Sequence, residues 1–203
     1  MTNRRFLLTG ALALATTTLL GACAPLIIGG AAVSGALMYK DRRTSGAQLE
    51  DQAIEFKAGS RLKQALAEPA HLNVTSYNRL VLITGEVASE ADRVAAEKAI
   101  AGIENVRTVV NEAAVMGASS LTSRSNDALI TSKVKARFVD NGEVDVNASK
   151  VVTERGIVYL LGRVTEREAD KAAEVARSVS GVQKVVRVYE IISEAELKAL
   201  DKH

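Results

Sequence analysis

Tryptophan is absent from the 203 residues, phenylalanine and tyrosine together number seven, histidine and proline two each, and cysteine one. Each shortage excludes something. A single cysteine rules out a disulfide within the chain. Two histidines, His71 and His203, are too few for a His-based metal cluster or a catalytic triad. Nucleic-acid binding draws on a surplus of Lys and Arg on one face with aromatic rings to stack on bases. Here 26 basic residues meet 24 acidic ones and aromatics make up 3% of the chain, so nucleic acid is not an expected partner. A phosphate-binding loop is also missing, because Gly29-Gly30 is not followed by Gly-Lys-Ser/Thr. The carboxylates fall beside cations on helix surfaces, as in Glu166-Arg167-Glu168-Ala169-Asp170-Lys171, a pattern of solvated salt-laced faces. No catalytic residue, cofactor or metal is expected, and the chain does not read as an enzyme.

The position of the one cysteine is informative. Arg4-Arg5, an apolar stretch from Phe6 to Leu20 and the sequence Leu20-Gly21-Ala22-Cys23 have the form of a secretory leader closed by a lipobox. Residues 1–22 are expected to be removed and Cys23 to carry the lipid. Each buried methylene contributes about 0.8 kcal/mol, so several acyl chains on one residue give an effectively permanent anchor. Lipoproteins held in the inner membrane are similar in carrying Asp after the cysteine. This chain has Ala24, which points to the outer membrane and a periplasm-facing protein. Loss of the leader removes two basic residues and no acidic one, which leaves an electrically neutral mature chain long enough for one medium or two small domains. The apolar run from Pro25 to Met38 is too short to span a bilayer, which needs about 20 such residues. Residues 23–46 therefore read as a lipidated, flexible linker, in which charge returns at Asp41-Arg42-Arg43.

The remainder is an internal duplication. Leu72 to Val87 aligns with Ser149 to Val164 at a constant offset of 77 residues, so that Val74 meets Val151, Leu80 meets Ile157, Gly85 meets Gly162 and Val87 meets Val164. Ala95-Ala96-Glu97 continues the match as Ala172-Ala173-Glu174. Gly102-Ile103 meets Gly181-Val182 once two residues are inserted. Upstream, Arg61-Leu62-Lys63 with Leu66 is set against Lys133-Val134-Lys135 with Phe138. Each copy reads as helix, strand, strand, helix, strand. Glu154-Arg155-Gly156 and Tyr77-Asn78-Arg79 are the hairpin turns. Thr165 with Glu168 has capping-box spacing, and Ser89 with Asp92 is its weaker counterpart. Asn126 or Asp127 is the expected cap of the second copy's first helix, where Ile130, Val134 and Phe138 recur at four-residue spacing. The fold class is α/β (α+β), with two tandem αββαβ units, each a small three-stranded sheet with two helices on one face. The expected divisions are a first domain at 47–116, a linker at 117–124, a second domain at 125–193 and a tail at 194–203.

The repeated motifs resemble those of the BON domain. They are Val81-Leu82-Ile83-Thr84-Gly85-Glu86-Val87 with Gly102-Ile103-Glu104-Asn105-Val106, and Val158-Tyr159-Leu160-Leu161-Gly162-Arg163-Val164 with Gly181-Val182-Gln183-Lys184-Val185. Asp41-Arg42-Arg43-Thr44-Ser45-Gly46-Ala47-Gln48, Ser125-Asn126-Asp127 with Ile130-Thr131-Ser132-Lys133-Val134, and Val164-Thr165-Glu166-Arg167-Glu168-Ala169 make almost the whole mature chain similar to dual-BON outer-membrane lipoproteins linked to envelope integrity and the division site. The resemblance implies non-catalytic modules and contact with membrane phospholipid. Beside it, the first helix of the second copy offers a stripe of Leu129, Lys133 and Arg137 offset by one residue from the apolar face, with Lys135 elsewhere on its surface. An apolar tip beside cations is suited to an anionic phospholipid surface, so these four are the candidate phospholipid-binding residues and Cys23 the lipidation site. The other reading is an interaction scaffold for envelope, cell-wall or division proteins, docking through the sheets or the helix from Glu194 to His203.

Overall fold

The computed structural model describes residues 41–66 and 70–200; the leader, Cys23, the apolar segment that follows it and His203 lie outside the described residues. The first module consists of α1 (Ser45–Ala65), β1 (His71–Tyr77), β2 (Leu80–Val87), α2 (Glu90–Ala101), β3 (Thr108–Asn111) and a two-residue β4 (Ala114–Val115). The second consists of α3 (Leu121–Asn141), β5 (Lys150–Glu154), β6 (Ile157–Val164), α4 (Glu166–Arg177) and β7 (Lys184–Ile191), and α5 (Glu194–Leu200) follows. In both modules a hairpin pairs antiparallel and the strand after the second helix adds parallel to the hairpin's second strand. The αββαβ order is the expected one. β4 extends the first sheet by pairing with β2 beyond β3.

Strand alternation directs one face of each sheet to its helices. In the first module Val81 and Ile83 pack with Ile54, Ala58 and Leu62 of α1 and Ala96 and Ile100 of α2. In the second, Val158 and Leu160 pack with Ile130, Val134 and Phe138 of α3 and Ala172, Ala173 and Ala176 of α4. The alanines let α4 lie close on its sheet. Thr165 and Glu168 form the anticipated capping box, and the Ser89 hydroxyl accepts from the Asp92 amide. The glycine of each strand motif has a steric cause: Gly85 (φ +106°) and Gly162 (φ +158°) pass so close to the carbonyls of His71 and Ala148 that a Cβ would collide with them.

Two features revise the sequence alignment. Helix α3 starts at Leu121, capped by Ser120, whose hydroxyl accepts the Ser123 amide; neither Asn126 nor Asp127 caps it. Asp127 is buried and turns inward, where its carboxylate accepts the amides of Arg155 (2.9 Å) and Gly156 (2.8 Å) in the hairpin turn. Asp51 of α1 does the same for Asn78 (2.7 Å) and Arg79 (2.8 Å). All four turn residues have positive φ, between 50° and 71°, as a two-residue hairpin turn of this twist requires. The aspartates thereby satisfy a turn that is unfavourable for arginine, and they fix the helix register. Asp51 corresponds to Asp127 and Ile54 to Ile130, so the helices are offset by 76 residues and Leu62, not Leu66, is the counterpart of Phe138. The repeated Lys-x-Lys-like spacing pointed to the wrong register because surface lysines carry no packing information.

The second face of each sheet is covered by the other sheet. Tyr77 and Leu82 from the first module and Tyr159, Leu161 and Val188 from the second form one buried cluster, with Leu80, Val110, Val152, Ile157 and Val186 around it. Polar contacts close the rim: Asn73 donates to Glu154 (2.9 Å), Asn78 to Glu190 (2.6 Å) and Lys150 to Glu55 (3.0 Å). The described end of the expected linker, residues 41–46, takes part as well. Arg42 forms a bidentate pair with Glu168 (2.8 Å to each oxygen) and donates to the Arg163 carbonyl. Of the expected 117–124 linker, residues from Leu121 onward are helical, and the expected tail carries α5, which has no buried residue.

A shared layer has a measurable consequence. Leu82→Ala empties space between the sheets and should cost about 2–5 kcal/mol, lowering the melting of both modules in one calorimetric transition; two transitions, of which only one moves, would mean that the sheets part before they unfold. In the same layer the Tyr159 hydroxyl is buried and makes no hydrogen bond of full geometry among the described residues, Glu112 offering it only a weak contact. Tyr159→Phe should therefore leave stability unchanged or raise it by about 1 kcal/mol, because it removes a desolvated donor.

Candidate functional site

Helix α3 runs from its Ser120 cap to Gly142, which closes it in the left-handed conformation (φ 69°). Its buried side consists of Asp127, Ile130, Val134 and Phe138. Leu129 is 60% exposed. Lys133 and Arg137 follow it at four-residue steps on the same flank and are exposed. The structure thus brings Leu129, Lys133 and Arg137 into one stripe. It places Lys135 on the opposite flank, beside Val139, which with Leu121 is a further exposed apolar residue of this helix. Leu121 and Val139 were missed in the sequence because they fall outside both the core period and the cationic stripe. Among the described residues, Lys133, Lys135 and Arg137 make no ion pair and no side-chain hydrogen bond. Elsewhere Lys150, Arg155, Lys171 and Arg187 are all paired with carboxylates. Free cations beside an exposed leucine can meet an external anion without first breaking an internal pair.

A second polar cluster lies between the modules. His71 Nδ1 is 3.0 Å from Glu86 Oε2, and His71, Glu86 and Glu154 each place a ligand atom within 4.8 Å of the others, the one such group among the described residues with metal-binding reach. The two carboxylates already have protein partners: Arg155 stands 3.4 Å from Glu86, the Ser119 amide donates to Glu86 (3.1 Å) and Asn73 donates to Glu154. The arrangement works as an ion-pair clamp. Arg155 also donates to the Gly85 carbonyl (2.8 Å), which ties the second module's hairpin turn to the first module's sheet.

Burial alone would raise the Glu86 and Asp51 carboxyls. The Ser119 amide, His71 and Arg155 outweigh it at Glu86, and Ser76, the Arg79 amide and Arg43 outweigh it at Asp51, so both titrate below the usual carboxylate range. Glu168 is lowered too, chiefly by its hydrogen bonds with Arg42. Arg43, which joins Asp51 (2.8 Å) to Asp41, also lies over the Tyr77 ring at 4.2 Å. A carboxyl with a depressed folded pKa stabilises fully above its unfolded value, about 4, and that stability disappears as pH falls through the lowered value. Melting temperature should therefore be level from pH 7 to about 5 and drop below pH 4. Glu168→Gln should lower the melting temperature at pH 7 and flatten the acid drop, and an unchanged acid slope would show that the Arg42 pair does not contribute to it.

A helix-hairpin-helix-strand unit repeated twice, with the sheets back to back, defines a class of tandem α+β module proteins. The BON domain matches residues 50–117 and 126–192, and the chain belongs to the BON-domain family. It is 35% identical to "Outer membrane lipoprotein DolP" of Haemophilus influenzae over 184 residues, which cover 90% of this chain and 95% of that protein. It is 36% identical to the "21 kDa hemolysin" of Actinobacillus pleuropneumoniae, covering 73% of this chain and 77% of the relative. It is 30% identical to "Osmotically-inducible protein Y" of Escherichia coli, with 68% and 70% covered. The chain is accordingly an envelope BON-domain lipoprotein of the outer membrane. Among the described residues no helix is long and apolar enough to cross a membrane.

Proposed function

We propose that this lipoprotein is non-catalytic, that it is anchored through Cys23, and that it binds anionic phospholipid through α3 of its second BON domain, thereby supporting the integrity of the outer membrane. The observation that carries this reading is the stripe of Leu129, Lys133 and Arg137: an exposed apolar residue beside two cations that have no ion pair among the described residues. Leu129 enters the headgroup boundary while Lys133 and Arg137 meet phosphates, each cation near an anionic surface being worth about 1 kcal/mol. Lys135, on the other flank, contributes to the field of the helix and not to the contact. Leucine is a weaker interfacial anchor than tryptophan, so cations have the larger share of the interaction. The similarity to an outer membrane lipoprotein supports the setting in which such a contact forms.

The test uses the full mature chain with Cys23→Ser, so that binding is not carried by acyl chains. It should co-sediment with vesicles containing phosphatidylglycerol, less with phosphatidylcholine alone, and more weakly as salt rises, because the Debye length is about 8 Å at physiological ionic strength. Lys133→Glu with Arg137→Glu should reduce sedimentation at least tenfold and shift stability by no more than about 0.5 kcal/mol, as surface changes do. Phe138→Ala should instead destabilise by about 3–5 kcal/mol, since Phe138 is fully buried. Binding that survives the double reversal and ignores salt would overturn the α3 site and favour a protein-docking scaffold.

A further inference from the structure

Helix α1 carries a face that neither the core nor the inter-module contacts use. Leu49, Phe56 and Lys63 stand seven residues apart and so lie along one side of the helix, away from buried Ile54, Ala58 and Leu62. Leu49 is 67% exposed and Phe56 is 82% exposed, with the small residues Gly59 and Ser60 beside it. Phe56 differs from the other described aromatics: Tyr77, Phe138 and Tyr159 are buried and Tyr189 is half-buried. Scattered exposed apolar residues are ordinary on a protein surface; here the charge around them is what is unusual. The acids of α1 are Glu50, Asp51 and Glu55, all in its first half and all engaged: Glu50 by Asn105, Asp51 by the hairpin turn, and Glu55 by Lys150 and the Ser76 amide. Beyond Glu55 the helix carries Lys57, Arg61 and Lys63 and no acid. These three cations are exposed and, among the described residues, make no ion pair and no side-chain hydrogen bond.

The length of chain before α1 narrows what covers this face. Arg42, which Glu168 holds in the fold, is 19 residues beyond Cys23, so α1 is the first described helix after the anchor, on a tether of at most about 65 Å. We infer that the outer face of α1 is a second bilayer contact, in which Phe56 and Leu49 enter the headgroup boundary of the leaflet that holds the anchor, Lys63 on the same side and Lys57 on its flank meet the anionic phosphates, and Arg61, nearer the buried face, adds to the field of the helix. The inference rests on the outer-membrane anchoring of the chain and not on α3, because α1 and α3 pack on the outer faces of different sheets.

The chain has no tryptophan, so Phe56→Trp in the full mature protein with Cys23→Ser makes a single fluorescent reporter at an exposed site. With vesicles of phosphatidylethanolamine and phosphatidylglycerol its emission should shift to the blue and be quenched by lipids brominated high on the acyl chain. Phosphatidylcholine vesicles should do neither. The shift should vanish with Lys57→Glu and Lys63→Glu and persist with Lys133→Glu and Arg137→Glu. A parallel Leu129→Trp reporter reads α3 separately. If position 129 responds and position 56 keeps its aqueous emission while the protein sediments with vesicles, the α1 contact is overturned and the α3 reading stands. If only position 56 responds, the α3 reading fails and this one holds. No sedimentation of the unacylated chain with either vesicle overturns both.

Discussion

Each BON sheet has two faces and only enough helix for one. α1 and α2 cover one side of the first sheet and α3 and α4 one side of the second, and the opposite sides still present Tyr77, Leu82, Tyr159, Leu161 and Val188. Apolar area left in water costs about 25 cal/mol per Å², so a sheet in this state is stable only against another apolar surface. The duplication supplies it. The two sheets close over a common layer, and the rest of the molecule follows from that closure. Asn73, Asn78, Arg155 and Lys150 become inter-module bonds, and the residues just before α1 are drawn in, with Arg42 meeting Glu168.

Closure also sorts the charges. Cations between the modules and over α4 find carboxylates: Arg155 with Glu86, Arg163 with Glu190, Arg187 with Glu166, Lys171 with Glu143. Among the described residues the cations on the outward flanks of α1 and α3 find none, because the acids of α1 are consumed in its first half and those of α3 lie at Asp127 in the core and Asp140 at the far end. The aspartates that might have balanced these helices are committed to the hairpin turns. Structural demand on the buried side thus leaves net positive charge on the outer side, and on both helices it stands beside exposed apolar residues. For a chain tethered to a membrane, that is the combination a phospholipid surface can use.

Much of this was legible in the sequence. The constant 77-residue offset, the Gly85 and Gly162 positions and the Thr165–Glu168 capping box gave the αββαβ repeat, and the four-residue recurrence of Ile130, Val134 and Phe138 correctly separated the core of α3 from the Leu129, Lys133 and Arg137 flank. The helix register of the first copy was not legible, because its key is Asp51. A carboxylate that accepts two amides 27 and 28 residues away leaves no local periodic signal. The Asp127 assignment failed for the same reason: an aspartate near a helix start reads as a cap when nothing announces the turn that claims it.

Sequence by itself determined what depends on neighbours along the chain: element order, strand alternation, hairpin chemistry, the lone cysteine of the expected anchor and the scarcity of residues for catalysis. The tertiary structure decided what depends on partners distant in the chain. It paired the two sheets, turned Asp51 and Asp127 inward, bound Arg42 to Glu168 across 126 residues, and left Phe56 exposed. Local preference acts through a few bonds and repeats with the helix or strand period, whereas burial is fixed only when a second surface arrives to exclude water, and one chain's spacing does not record where that surface will be.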